Sequence, residues 1–196
     1  RRLAGLPSRW ARDIASRLRG HFAGAFYNVN ARGNGGQKIF RTEQDYRLYL
    51  SFLKEYKARF GFFIYTYVLM ATHVHLLIEV KETPLSRLMQ NLQFRYTRNF
   101  NKKHKTWGHL FQGRHKAILC EKDSYFLELT AYIHLNPVRA ELVKEPSQYA
   151  WSSYRSYVGE EEGGLVDEDF LLSQFSGRRD VSRRAYGRYV QDLRHR

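Results

Sequence analysis

Two short patterns in this chain could do chemistry. The run Leu69 to Val80, LMATHVHLLIEV, carries His73 and His75 one residue apart among apolar neighbours. The run AYIHLNPVRA carries Tyr132 and Asn136 four residues apart, just ahead of Pro137. On a strand, residues i and i+2 project to one face, about 6.5–7 Å apart along the chain. His73 and His75 therefore point the same way, and two neutral imidazoles on one face can grip a divalent metal. The plainer reading is a pair of partly exposed histidines on a sheet. The apolar flanks weigh against it, since solvent exposure alone does not explain the pair.

Two imidazoles rarely complete a metal site. Glu79 lies on the same strand face but four residues beyond His75, which makes it the weaker third ligand. Tyr132 and Asn136 are the better candidates, one helical turn apart on one face. Asn136 can offer its carbonyl oxygen to the metal while Tyr132 presents its phenol beside it. A phenol beside a phosphate-binding metal can attack a phosphodiester and form a phosphotyrosine, with the metal stabilising the charge that develops on the phosphate oxygens. The alternative for Tyr132 is a core tyrosine, one of 14 in the chain.

These residues need elements to position them. FFIYTYVLM (Phe62 to Met70) and HVHLLIEV (His73 to Val80) are β-prone runs separated by Ala71-Thr72, which predicts a tight antiparallel hairpin. Thr42 with Asp45 resembles a capping box, and Tyr46, Tyr49, Leu50, Leu53, Tyr56 and Phe60 follow at helical spacing up to Gly61. Thr83-Pro84 predicts the start of a second helix, whose apolar stripe is Leu85, Leu88, Met89, Leu92, Tyr96 and Phe100. Gly24–Asn34 reads as a first strand and Gly113–Cys120 as a fourth. Asp123 reads as the cap of a third helix, which Pro137 ends or nearly ends. SQYAWSSYRSYVG reads as an ordered aromatic segment, Gly159–Gly164 as a loop, and Val181–Leu193 as a last helix. The order β-α-β-β-α-β predicts an α+β, ferredoxin-like split βαβ fold, with helices on one sheet face and the other open for a partner.

The 196 residues suffice for one ordinary domain with small appendages. We expect a basic arm over residues 1–20, with a short helix at Ser8–Leu18, a catalytic domain over 21–158 and an extension over 159–196. Cys120 is the single cysteine, which excludes an internal disulfide framework and suggests a cytosolic setting. The Arg1–Gly20 segment lacks the apolar core of a signal peptide, and no run is long and apolar enough to span a membrane. A net charge of +14 makes nucleic acid the first expected partner, ahead of an anionic membrane surface.

Taken together, these blocks resemble a known family. LMATHVHLLIEV resembles the histidine–hydrophobic–histidine (HUH) motif of single-tyrosine transposases, and AYIHLNPVRAELV resembles the block around their nucleophilic tyrosine. GAFYNVNARGNGGQKIF, LFQGRHKA and WSSYRSY resemble further blocks of the REP-associated tyrosine transposases, bacterial relatives that process single-stranded hairpins of repetitive extragenic palindromes. The resemblance spans roughly Gly24 to Val158. It implies a ferredoxin-like catalytic domain, with His73 and His75 as ligands of Mg²⁺ or Mn²⁺ and Tyr132 as the nucleophile. It places Asn136 where insertion-sequence relatives have a helical glutamine ligand. The implied reaction cleaves single-stranded DNA, leaving a 5′-phosphotyrosine and a free 3′-hydroxyl that can be rejoined without ATP. The chain departs from the pattern at Ala71-Thr72, where relatives often have Pro-Asn or Pro-Glu. Tyr96 and Tyr125 are rival nucleophiles, Tyr96 on an apolar stripe and Tyr125 in the first turn of the third helix. A non-catalytic, RRM-like binder of single-stranded nucleic acid is the competing reading, although the RRM aromatic strand signature is not evident. A plain metal-dependent nuclease is a third.

From Thr83 to Cys120 every charge is positive: Arg87, Arg95, Arg98, Lys102, Lys103, Lys105, Arg114 and Lys116. Such an imbalance suits a phosphate track, although a solvated helix face is the plain alternative. Trp107 and Phe111 lie beside these cations and are the first candidates for base stacking. Arg32, in the glycine-rich RGNGGQK run, reads either as a DNA contact or as part of a plain turn. Relatives work as dimers in the insertion-sequence branch; a monomer is expected here.

Overall fold

The computed structural model describes residues 22–120, 125–161 and 164–194. The expected helix at Ser8–Leu18 and the expected cap Asp123 lie outside the described residues. Among them no helix is long and apolar enough to cross a membrane.

The chain opens with β1 (Phe26–Arg32), followed by a short 3-10 turn at Asn34–Gly36. Gly33 enters that turn, and any Cβ there would lie 2.1 Å from the Gln37 carbonyl oxygen. Only glycine permits this approach. Helix α1 spans Glu43–Phe60. The Asp45 carboxylate accepts the Arg41 and Thr42 N–H groups, both at 2.8 Å, and so satisfies donors that a helix start leaves over. Gly61, at φ 66°, ends the helix in the left-handed conformation.

Strands β2 (Phe63–Met70) and β3 (His73–Glu79) form the expected hairpin around Ala71-Thr72. Helix α2 spans Leu85–His104 and buries its whole predicted stripe, Leu85, Leu88, Met89, Leu92, Tyr96 and Phe100. Pro84 rather than Thr83 is its N-cap. Strand β4 is confined to Lys116–Leu119, shorter than the Gly113–Cys120 run. Gly113 takes φ 64°, outside strand geometry, and Phe111 instead bridges to Gly33.

The sheet order is β2-β3-β1-β4, every pair antiparallel. This is the ferredoxin-like arrangement. One face carries Val29, Ala31, Val74, Leu76 and Ile78, all buried, and the split βαβ connections lay α1 and α2 side by side over it. Tyr49 meets Tyr96 edge-on between the two helices, centroids 5.0 Å apart.

The other face is open only in part. Directly opposed residues of neighbouring strands point the same way, so Phe26, Asn28, Asn30 and Arg32 of β1 share this face with Glu79, Leu77, His75 and His73 of β3. Helix α3 (Phe126–His134) covers its Glu79 end, where the Phe126 ring packs on Phe26 and Tyr65 with centroids 5.6 and 5.3 Å apart. The helix stops at His134, and Pro137 falls in the first turn of a separate short helix, α4 (Asn136–Arg139). Proline is tolerated there because its missing N–H would have no partner.

The remaining chain seals the outer edge of β2. Leu69 N–H donates to Trp151 O, Ser153 N–H to Tyr67 O and Asp167 N–H to Ile64 O. Trp151 stacks on Tyr46, centroids 4.5 Å apart, so the aromatic segment is ordered by α1. Short helices α5 (Tyr154–Val158) and α6 (Asp169–Ser173) precede α7 (Arg179–Arg194), which is longer than the predicted Val181–Leu193. Tyr186 and Val190 of α7 are fully buried in the same apolar cluster as the sheet.

Candidate active site

The histidine pair sits at the uncovered end of the second sheet face. The two rings lie edge to face with centroids 5.2 Å apart. Both histidines are partly exposed, while Val74 and Leu76 between and beyond them are fully buried. Burial, then the neighbouring Arg32 cation, hold the His73 pKa below its usual value. Burial, then His73 itself, lower His75 to about 3. Both rings are therefore neutral near pH 7, the protonation state a metal requires.

Their orientation is set by neighbours. Thr72 Oγ1 lies 3.0 Å from His73 Nδ1. The tautomer that donates this Nδ1–H leaves a bare Nε2 lone pair for a ligand. Asn30, directly opposite His75, places Nδ2 3.3 Å from both ring nitrogens. Asn30 escaped the sequence reading because only the β1–β3 register brings it to His75.

Cations flank the pair. Arg32 is the register partner of His73, and Lys116 is paired to Asn30 and shares its face. The loop after α2 is tied to this end of the sheet: Gln112 N–H donates to Arg32 O, and Asn34 N–H to Leu110 O. Trp107 on that loop is 90% exposed, whereas Phe111 is buried at 7% and offers no stacking surface. Lys102 and Lys105 lie at the same end of α2. Arg87 and Arg98 lie on the outer face of that helix, over the sheet face opposite the histidines. Two expected DNA contacts have partners of their own. Lys103 donates to buried Asp45 at 2.9 Å and to Thr42 at 2.7 Å. Arg95 pairs with Glu55 at 2.6 Å and lies over the Phe52 ring at 4.1 Å.

Tyr132 is half-buried on α3. Helix α3 starts over the Glu79 end and finishes beside Tyr67, where His134 bonds to Ser153. It therefore climbs along β2 toward the row that holds His75. Burial raises the Tyr132 pKa, opposed by Arg139, whose guanidinium lies 4.5 Å from the ring centroid. Asn136 turns its amide nitrogen back on the helix end, donating to Tyr132 O at 3.0 Å and Ile133 O at 3.2 Å. Its Oδ1 is left as the acceptor.

The rivals fare differently. Tyr96 is fully buried, and its hydroxyl donates to Ile39 O at 2.6 Å, which removes it as a nucleophile. Glu79 accepts the Tyr65 hydroxyl at 2.6 Å, so its carboxylate is engaged away from the histidines. Tyr125 is the N-cap of α3 and is exposed. No cluster of three or more His, Cys, Asp or Glu is gathered among the described residues.

The same fold occurs in a solved REP-associated tyrosine transposase bound to a REP hairpin, with a TM-score of 0.59 at 18% identity over 78% of this chain and 94% of that one. A crystal structure assigned as a transposase from Deinococcus radiodurans R1 aligns with a TM-score of 0.43 at 14% identity, over 68% of this chain and 93% of that one. No curated protein sequence matches. The model of the family described as IS200-like transposase matches residues 29–136, from the middle of β1 to the start of α4. The chain belongs to the IS200-like transposase family.

Proposed function

We propose that this transposase cleaves and rejoins single-stranded DNA through Tyr132, with a divalent cation held by His73, His75 and Asn136. The observation that carries the reading is the arrangement on one sheet face. Two neutral imidazoles are oriented by Thr72 and Asn30 and flanked by Arg32 and Lys116, and the tyrosine-bearing helix climbs toward them. Mg²⁺ or Mn²⁺ bound there would polarise the scissile phosphate and offset its developing charge.

The chain's own residues supply the rest. The Tyr132 oxygen attacks phosphorus, the bond to the 3′ oxygen breaks, and that oxygen leaves as a hydroxyl carrying the proton the phenol gives up. The 5′ phosphate stays on Tyr132 as a phosphodiester. Attack by a 3′-hydroxyl on that linkage reverses the step without an external energy source. Burial raises the phenol pKa further above neutrality, so loss of its proton has to accompany attack on the bound phosphate. Arg32, Lys102, Lys105, Arg114 and Lys116 hold the backbone, and Trp107 stacks an unpaired base. Arg87, Arg95, Arg98 and Lys103 complete the basic surface at greater distance or behind intramolecular pairs.

The substrate class is a hairpin of the REP type, by likeness of fold to the hairpin-bound transposase. The proposed working unit is a monomer; the packing of α3 on its own chain through Phe126 and His134 supports this. The reading is tested with single-stranded hairpins labelled on either side of the cut. It expects a metal-dependent product with a free 3′-hydroxyl and the opposite label on the protein. Two free DNA ends in equal amounts would mean water, not Tyr132, is the nucleophile.

A further inference from the structure

His134 sits two residues from Tyr132 and is fully buried, yet nothing in the proposed chemistry uses it. Its Nδ1 lies 2.6 Å from the Tyr186 hydroxyl on α7, and its Nε2 lies 2.8 Å from Ser153 Oγ. Ser153 Oγ in turn accepts the Tyr67 N–H of β2 at 3.0 Å and lies 3.3 Å from Tyr67 O. Rings of Tyr154, Tyr157 and Tyr186 enclose the imidazole, with centroids 5.5, 5.7 and 5.8 Å away.

One assignment of hydrogens satisfies every group. Tyr186 O–H donates to Nδ1, Nε2–H donates to Ser153 Oγ, and Ser153 O–H donates to Tyr67 O. The reverse direction would leave the Tyr186 proton without an acceptor. A single imidazole thus ties α7, α3 and β2 into one directed chain, although these elements are far apart in sequence.

Apolar packing alone would let a nine-residue helix turn or slide on the sheet. A fully satisfied buried network selects one arrangement. Residues two apart on a helix point to nearly opposite sides, about 200° apart at 3.6 residues per turn. Fixing His134 toward α7 and the β2 edge therefore fixes Tyr132 toward the other side of α3.

We propose that His134 is a positioning residue for Tyr132, and that α7 in the C-terminal segment exists partly to hold it. This rests on Tyr132 being the nucleophile. The brace is not a lid or a substrate contact: Tyr186 acts through His134 on the direction of α3.

The test compares Tyr186→Phe with Tyr157→Phe. Each removes one buried hydroxyl from the same aromatic cage. Only Tyr186 bonds to His134; Tyr157 donates to Tyr65 O. At saturating hairpin and Mn²⁺, Tyr186→Phe should form the covalent adduct on the order of tenfold to a hundredfold more slowly than Tyr157→Phe, with hairpin affinity equal in both. Equal rates in the two variants overturn the proposal. A second readout needs no turnover. 3-Fluorotyrosine at position 132 should shift or split its fluorine resonance in the Tyr186→Phe background and not in Tyr157→Phe; identical spectra overturn it. If wild-type protein forms no adduct, the assignment of Tyr132 fails, and the fluorine spectra still decide whether His134 and Tyr186 set its direction.

Discussion

The Arg139 guanidinium lies 4.5 Å from the centre of the Tyr132 ring, one short helix further along the chain. Burial pushes the phenol pKa up, and this cation pulls against it. Arg139→Gln should therefore slow adduct formation about two- to fivefold, the kinetic equivalent of a cation–π contact of about 0.5–1 kcal/mol. The alkaline shift of its pH–rate profile, measured with excess hairpin and Mn²⁺, checks this. An unchanged profile would mean that Arg139 holds DNA and does not act on the phenol.

Metal binding is read without turnover. A ligand that binds only the folded state stabilises it by about 2.7 kcal/mol at a hundred times its dissociation constant. Mn²⁺ should raise the melting temperature of the wild type, and the shift should vanish in His75→Ala and in His73→Ala. Asn30→Ala should keep a reduced shift, since Asn30 orients His75 without replacing it. A full shift in His75→Ala would remove the histidines from the site.

Acid should weaken the fold before the carboxylates protonate. Burial lowers the His134 pKa to about 3, against about 6.5 for an unfolded histidine. Between those values the unfolded chain carries a proton that the native imidazole lacks. Stability is thus full above pH 6.5 and falls as pH drops toward 3, by up to about 1.4 kcal/mol per pH unit for this group. Urea midpoints between pH 7 and pH 5 should fall, and His134→Gln should flatten part of that slope.

Neighbouring lysines on α2 should separate cleanly. Burial would raise the Asp45 pKa, but Lys103, the Arg41 and Thr42 N–H groups and His104 hold it well below the usual carboxylate range. Asp45→Ala removes the buried acceptor shared by Lys103, His104 and the Arg41 and Thr42 N–H groups and should cost about 1–3 kcal/mol of stability. Lys102→Ala should leave stability unchanged and reduce the salt dependence of single-strand binding by about 0.7 in log–log slope. Denaturant titration and binding at several salt concentrations distinguish the two roles.

Much of the scaffold was legible because it is local. The α2 stripe, the Thr42–Asp45 start, the Gly61 stop and the Ala71-Thr72 hairpin each depend on residues within a few positions of one another. What escaped depends on register and distant packing. Asn30 meets His75 across 45 residues of chain, and Lys103 meets Asp45 across 58. Spacing alone made Lys103 a member of a phosphate track, because its partner is visible only after α1 and α2 pack. The expected open sheet face is half covered by α3, whose Phe126 packs against Phe26 and Tyr65 of the sheet and against Phe170 of α6, contacts that only the folded chain brings together.

The central claim is that Tyr132 becomes covalently joined to DNA. Its most direct measurement is denaturing electrophoresis of the protein with a labelled single-stranded hairpin and Mn²⁺. Wild-type protein should give a band of protein-linked label that chelator abolishes, and Tyr132→Phe should give none while binding the hairpin as tightly. Linked label at wild-type yield in Tyr132→Phe would contradict the account and turn attention to Tyr125.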